Sequence, residues 1–375
     1  MKKSAPGLLA LLLPLIGLSQ DLQFFTGTYT HGKSKGIYTV RFREKESEGQ
    51  VISVAEGIRN PSFLALSPGG QYLYAVSELN SGGDGGEVVA YRVEKSNGSL
   101  TRLNSQKSGG DDPCYVTVDK TGRWVIVGNY SSGSVAVLPV QADGHLGKAV
   151  TRVVHEGSGP NKERQEKPHV HATVLSPDNR FLYVPDLGTD KIFIYRFDAA
   201  NGSLSPAAQP FRTANPGSGP RHFVLHPSGK FAYLIEELTG TVSAYTVNPQ
   251  DGSLDWTQRI SSLPEGFKGF AGSADIHLSP DGRFLYASNR GDANSIAVFS
   301  VHKRNGSLKP LSHPSVQGIH PRNFSLTPDG KFLLCANRDS DQIVIFARNR
   351  KTGMLTDTGK RISIPSPVCI LWMVP

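Results

Sequence analysis

The residues most able to do chemistry lie where strand-like runs begin and end. Several stand at the starts of apolar runs: His169, His171, Arg221, His222, Asp275, His277 and Arg322. Others follow the ends of neighbouring runs: Glu78, Glu237, Arg290 and Arg338. An imidazole or a carboxylate can take a proton from water, and a guanidinium can bind an anion through two parallel hydrogen bonds. Brought together, these side chains would form a site for acid–base chemistry on a small anionic molecule.

Some of these residues have simpler explanations. Arg338 is as well suited to an ion pair with a neighbouring carboxylate as to binding a ligand. His169 and His171, two residues apart on a strand, point the same way and could ligate a metal ion. No third ligand recurs near them, so hydrogen bonds to a substrate are favoured, and we expect no metal or cofactor. Asp178, Asp281 and Asp329 lie in turns and are interpreted as turn formers.

The element that positions these residues is a repeated hairpin. Residues 220–238 predict two strands around a reversal at Pro227, Ser228 and Gly229. Similar turns recur near residues 68, 121, 177, 280 and 328. A second marker, a glycine followed two residues later by Leu or Val, occurs at Gly49, Gly98, Gly144, Gly202, Gly252, Gly306 and Gly353. Seven units of four antiparallel strands predict an all-β, seven-bladed β-propeller.

The two ends of the chain complement each other. Residues 24–29 and 36–42 resemble the second and third strands of a unit that lacks its first strand, and residues 367–374 resemble that missing strand. Pairing of the two ends would close the ring without an open sheet edge. The starts of the entering strands and the ends of the returning strands would then share one face around the central channel. The long polar loop from His155 to Pro168 is expected on the same face.

The composition of the chain indicates where the protein is located and which partners it can bind. Lys2 and Lys3 precede an apolar run from Leu8 to Ile16, which predicts a signal peptide over residues 1–20, a propeller domain over residues 21–375, and export to the periplasm or the extracellular space. After cleavage we expect no membrane association. The basic residues behind the net charge of +8 are scattered, which argues against nucleic-acid binding. The three cysteines are interpreted as buried apolar residues, and we expect a monomer.

Several motifs together are recognisable. They are residues 157–171 (GSGPNKERQEKPHVH), Pro220-Arg221-His222, Glu236-Glu237-Leu238, Asn289-Arg290-Gly291 and Pro321-Arg322-Asn323. This combination closely resembles the seven-bladed β-propeller lactonase family, which includes 6-phosphogluconolactonases and carboxy-cis,cis-muconate cyclases. In the cyclase branch a His, two Arg and a Glu have been proposed as the active site. By motif, the resemblance places them at His171 (or His169), Arg221, Arg290 and Glu237.

The resemblance implies hydrolysis of a sugar lactone, most simply 6-phospho-D-glucono-1,5-lactone. The alternatives are a muconate-type lactonising cyclase and a non-enzymatic binding propeller. Either His171 or Glu237 could be the base, and a carboxylate between two Arg residues has a lowered pKa, which favours His171. His169, His222, Asp275, Arg322 and Arg338 are expected to contact a small anionic lactone.

Overall fold

The computed structural model describes residues 21–83 and 85–373, and the predicted signal peptide lies outside this range. Seven four-stranded antiparallel sheets form the seven blades, as predicted. The first three strands, β1 (Leu22–Thr28), β2 (Gly36–Arg43) and β3 (Glu48–Glu56), belong to blade 7 together with the last, β28 (Pro367–Trp372). The strands between them form, in chain order, blade 1 with β4 (Leu64–Leu66), β5 (Tyr72–Ser77), β6 (Glu87–Glu94) and β7 (Ser99–Lys107); blade 2 with β8 (Pro113–Val118), β9 (Trp124–Asn129), β10 (Ser134–Pro139) and β11 (Thr151–Val154); and blade 3 with β12 (Val174–Leu175), β13 (Phe181–Asp186), β14 (Lys191–Asp198) and β15 (Ser203–Thr213). They continue as blade 4 with β16 (Pro220–Leu225), β17 (Phe231–Glu236), β18 (Thr241–Val247) and β19 (Leu254–Ser261); blade 5 with β20 (Ser273–Leu278), β21 (Phe284–Asn289), β22 (Ser295–Val301) and β23 (Leu308–Ser312); and blade 6 with β24 (Pro321–Leu326), β25 (Phe332–Asn337), β26 (Gln342–Arg348) and β27 (Leu355–Ser363).

Blade 7 closes the ring and is built from both ends of the described chain. Its strand order is β28, β1, β2, β3, and β1 pairs antiparallel with β28 through Phe24 opposite Trp372 and Thr26 opposite Ile370. The predicted pairing of the two termini is therefore confirmed. The helical structure of the described residues is one 3₁₀ turn, Arg338–Ser340, and none of their helices is long and apolar enough to cross a membrane.

The repeated glycine marks the contact of each blade with the one before it. Gly306 has φ +70°, and a Cβ there would lie 2.5 Å from the ring of Phe231 in blade 4. The carbonyl of Gly306 accepts a hydrogen bond of 2.8 Å from Tyr233, which is also in blade 4. Gly252 is held in the same way by Phe181 and by the hydroxyl of Tyr183. The hydrophobic core lies between adjacent blades, so these contacts fix the angle between blades and the position of every inner strand.

The predicted turns lie at the opposite end of the blades from the polar strand ends. The Ser279 hydroxyl donates to Asp281 (2.6 Å) and the Thr327 hydroxyl donates to Asp329 (2.8 Å), which confirms that these aspartates form turns. All three cysteines are buried and unpaired, as expected. Burial raises the pKa of the Cys369 thiol to about 12, so it stays protonated at neutral pH.

Candidate active site

Two sets of equivalent positions carry the polar residues of one channel mouth. The first set directly follows the second strand of each blade: Tyr29, Glu78, Tyr130, Leu187, Glu237, Arg290 and Arg338. The second lies at the start of the inner strands, and Cys114, His171, Arg221, His222, Arg322 and Asn323 from this set line a common cavity. Because side chains alternate along a strand, Glu236 and Glu237 point in different directions. Glu236 bonds Arg259 and Ser243 within its own blade, whereas Glu237 faces the channel.

Glu237 organises a cluster of three guanidinium groups. Its Oε2 lies 2.9 Å from Arg221 Nε and 2.9 Å from Arg290 Nη2, and its Oε1 lies 2.7 Å from Arg164 Nη2. Arg221 and Arg290 come from adjacent blades 4 and 5, as the sequence indicated. Burial by itself raises the pKa of Glu237, but Arg290, Arg221 and Arg164 outweigh it and hold the pKa far below its usual range. Glu237 is therefore a weak base, and its carboxylate instead fixes the positions of the arginines.

Arg221 and Arg290 each retain a nitrogen that can bind a ligand. Arg221 also donates Nη1–H to the Ala274 carbonyl (2.5 Å), and Arg290 donates Nε–H to the Gly272 carbonyl (2.7 Å). Within the described residues, Arg221 Nη2 and Arg290 Nη1 have no hydrogen-bond acceptor. Burial and the charges of Arg290 and Arg322 lower the pKa of Arg221 to about 9, so the group remains cationic at neutral pH. Glu237 thus holds two arginines side by side, and each keeps one nitrogen without an acceptor among the described residues.

His171 is a buried, neutral imidazole. Its Nδ1 lies 3.7 Å from the Cys114 sulfur, and its ring packs edge-on against Tyr130 and His222. Burial comes first among the causes that hold the pKa of His171 well below its usual value, followed by the charge of Arg221. Its Nε2 has no hydrogen-bond partner within residues 21–83 and 85–373, and the ring lines the cavity. A neutral imidazole with a free nitrogen can accept a proton from water.

His222 is held by a carboxylate at the start of the neighbouring blade. Its Nδ1 lies 2.7 Å from Asp275 Oδ1, while Asp275 Oδ2 is 2.9 Å from His277 Nε2 and accepts an N–H of Asn323 at 2.6 Å. This arrangement favours the tautomer that carries its proton on Nδ1 and leaves Nε2 free. Burial and Arg221 lower the pKa of His222 to about 4. Asp275 thus lies behind His222, which faces the cavity.

The other expected ligand-binding residues occupy different positions. His169 stacks on Tyr130 with ring centroids 4.4 Å apart, and its Nε2 lies 3.2 Å from Glu166. Arg322 lines the cavity with its guanidinium carbon 5.3 Å from the centre of the Tyr29 ring. Arg338 lies on the 3₁₀ turn and pairs with Asp339 at 2.6 Å, so its charge is already engaged at the rim. The described residues contain no group of three or more His, Cys, Asp or Glu placed to hold a metal ion.

Sequence reasoning left out Arg164 and Tyr29. Arg164 belongs to the long loop after β11, and its contact with Glu237 confirms that this loop reaches the mouth. Tyr29 follows β1 at the position that Glu237 occupies in blade 4, so alignment of the seven strand ends would have found it. No repeat predicts Arg164, because it lies in a loop found in one unit.

The seven blades and the mouth define a class of protein: a closed propeller whose channel mouth carries arginines and neutral imidazoles. A model of the "Lactonase, 7-bladed beta-propeller" family matches residues 23–372, and the chain belongs to this family. The chain is thus an enzyme of the lactonase class, as the sequence indicated.

Named relatives cover nearly all of the chain. A 6-phosphogluconolactonase of Bacillus subtilis is 37% identical over 93% of this chain and 97% of its own length. A 6-phosphogluconolactonase of Formosa agariphila is 40% identical over 88% of this chain and 94% of its own. The solved structure of a periplasmic gluconolactonase from Pseudomonas aeruginosa has a TM-score of 0.89 at 37% identity, covering 95% of this chain and 99% of that one.

Proposed function

We propose that this protein hydrolyses a sugar δ-lactone that bears an anionic group, most simply 6-phospho-D-glucono-1,5-lactone. The observation that carries the proposal is that the neutral imidazole of His171 and the guanidinium of Arg221 line one cavity, while Glu237 holds Arg290 next to Arg221. Arginine excess at the mouth favours an anionic substrate. The names of the Bacillus and Formosa relatives support the phosphorylated lactone, and that of the Pseudomonas protein supports gluconolactone.

The proposed reaction needs one base and one set of oxyanion donors. His171 takes a proton from water as the oxygen adds to the lactone carbonyl, and the free N–H groups of Arg221 and Arg290 stabilise the charge that develops on the carbonyl oxygen. The bond from the carbonyl carbon to the ring oxygen then breaks. The imidazolium returns its proton to that oxygen, and the product is an open-chain aldonic acid, which ionises to the aldonate and releases a proton to the solvent. His171 is preferred to Glu237 as the base because its Nε2 is free among the described residues, whereas both carboxylate oxygens of Glu237 are paired with arginines.

The direct test compares substrates. The purified protein is given glucono-1,5-lactone, its 6-phosphate and a carboxymuconolactone, and acid release is followed above the spontaneous rate. Turnover of the phosphorylated sugar lactone with the highest kcat/KM is the expected result. Preference for the muconolactone would move the protein to the cyclase branch, and no turnover of any lactone would favour a binding propeller.

Export is a second part of the proposal. It is supported by the charged and apolar start of the sequence and by a relative described as periplasmic. Mass spectrometry of the exported protein is expected to find a mature terminus near Gln20 or Asp21, which would leave the propeller domain over residues 21–375. A soluble cytoplasmic protein that retains Met1 would refute this.

A further inference from the structure

Arg322 differs from the other arginines of the mouth in having no carboxylate partner among the described residues. Arg164, Arg221 and Arg290 all pair with Glu237. Among residues 21–83 and 85–373, no carboxylate forms an ion pair with Arg322 and no acceptor takes a hydrogen bond from its side chain. The guanidinium nevertheless lines the cavity beside His171 and Arg221. A guanidinium has five N–H donors in a planar fork, and within the described residues none of those of Arg322 meets an acceptor.

One carboxylate whose charge acts on Arg322, that of Glu78, is hydrogen-bonded to a tyrosine. The Tyr29 hydroxyl donates to Glu78 and lies 3.0 Å from each of its two carboxylate oxygens. The ring of the same tyrosine lies 5.3 Å from the Arg322 guanidinium carbon, within range of a cation–π contact. Burial opposes the charged form of Arg322, but Tyr29 and Glu78 raise its pKa above the ordinary value. The charge of Glu78 therefore favours the Arg322 cation, while the carboxylate oxygens accept the hydrogen bonds of Tyr29.

We propose that Arg322 receives the oxyanion carried by the substrate away from its lactone carbonyl, and that Tyr29 keeps this guanidinium open by holding Glu78. The oxyanion is a phosphate or a carboxylate, since both match the guanidinium fork. Arg221 and Arg290 are fixed by Glu237 for the reacting carbonyl, which leaves Arg322 as the uncommitted cation of the cavity. Arg322 is then a substrate-binding residue that sets specificity, and Tyr29 is a positioning residue. The identity of the ring rests on the proposed function.

Binding of stable open-chain acids tests the receptor without turnover. Calorimetric titration compares three acids. Besides the carboxylate that all three share, 6-phosphogluconate carries a phosphate, glucarate carries a second carboxylate, and gluconate carries no further anionic group. Arg322→Met is expected to lower the affinity for 6-phosphogluconate or glucarate, whichever ligand Arg322 binds, by about 10- to 100-fold, as for loss of a charged hydrogen-bonding pair. The affinity for gluconate should change by less than about threefold. Arg322→Lys keeps the charge without the fork and should give a smaller loss. Arg283→Met removes an exposed arginine at the turn end and should change nothing.

Tyr29 is tested by a double-mutant cycle. Tyr29→Phe keeps the ring but releases Glu78, which can then pair with Arg322. The affinity for 6-phosphogluconate or glucarate should therefore fall several-fold. Adding Glu78→Gln to Tyr29→Phe removes the competing charge and should restore the affinity. A merely structural role for Tyr29 predicts no such rescue.

The outcomes separate the receptor from the reaction. The stronger of the 6-phosphogluconate and glucarate responses identifies the oxyanion. If folded Arg322→Met and Arg322→Lys bind all three acids as the unsubstituted protein does, the receptor assignment is overturned. An unchanged Tyr29→Phe variant overturns the role of Tyr29. Ligand binding that depends on Arg322 in a protein that turns over no lactone would defeat the proposed reaction and leave the receptor in place.

Discussion

Replacing Glu237 by glutamine removes the charge at the centre of the mouth while nearly preserving its shape. The carboxylate lies 2.7–2.9 Å from three guanidinium groups, and the Arg221 and Arg290 side chains are only 1% and 11% exposed. Breaking a buried ion pair by removing one partner costs about 3–5 kcal/mol, because the remaining charges stay buried without compensation. The Arg164 side chain is 36% exposed, so its pair adds about 1 kcal/mol at most. We expect Glu237→Gln to lower the free energy of unfolding by about 3–5 kcal/mol.

The same change should also displace Arg221 and Arg290, the proposed oxyanion donors, so kcat is expected to fall by about 10²-fold or more. Urea unfolding followed by fluorescence and steady-state kinetics on one preparation measure both effects. Glu236→Gln is the matched control: Glu236 is equally buried and pairs with Arg259 away from the channel, so it should lose stability but keep kcat. Phosphate should stabilise Glu237→Gln more than the unsubstituted protein, because it can replace the missing charge. A folded Glu237→Gln protein with unchanged stability and kcat would refute the organising role of this carboxylate.

Three further expectations can be checked. Because Arg290, Arg221 and Arg164 lower the pKa of Glu237, the contribution of its carboxylate to the free energy of unfolding is complete above about pH 5 and is lost as the pH falls further. A difference in stability between the unsubstituted protein and Glu237→Gln that persists undiminished at about pH 2–3 would contradict this. His171→Ala should lower kcat by about 10²-fold or more, and because the pKa of His171 is lowered, kcat/KM of the unsubstituted enzyme should stay level from neutral pH down past about 6.5 before it falls. Near-normal kinetics for His171→Ala together with a large loss in His222→Ala would transfer the role of base to His222, which Asp275 orients. Activity should survive EDTA, and loss that one divalent ion restores would promote His169 and His171 to metal ligands.

The fold could be predicted because its signals are local and repeated. A turn such as Ser279–Gly282 and a glycine such as Gly306 each reflect a backbone or packing constraint that recurs in several blades. Ring closure followed from two incomplete units at the ends of the chain. Antiparallel pairing determines which strand ends share a face, which is why the sequence alone groups Arg221, Glu237 and Arg290.

The contacts inside the mouth could not be predicted in the same way. Arg164 lies 73 positions before Glu237 in the sequence and contacts it from a loop that no repeat predicts. Asp190, which accepts backbone N–H groups of Gly217 and Gly219 and a side-chain N–H of Gln165, likewise fixes a loop through contacts that no pattern marks. Side-chain pairing of this kind depends on distances between blades. A sequence predicts which way side chains point along a strand, but it does not predict distances across a channel.

Closure of the ring by both ends of the chain has a consequence for folding and for activity. Tyr29 lies in blade 7, Arg322 in blade 6 and Glu78 in blade 1, so the proposed oxyanion receptor straddles the seam where β1 meets β28. These strands are separated by more than 300 residues, and such a long-range contact forms late because the entropy of closing the loop must be overcome first. An intermediate with blades 2 to 5 assembled would already hold Glu237, Arg221 and Arg290 but lack the receptor. During refolding, the cavity that His171 shares with Arg322 and Val368 should therefore be completed only when β1 pairs with β28.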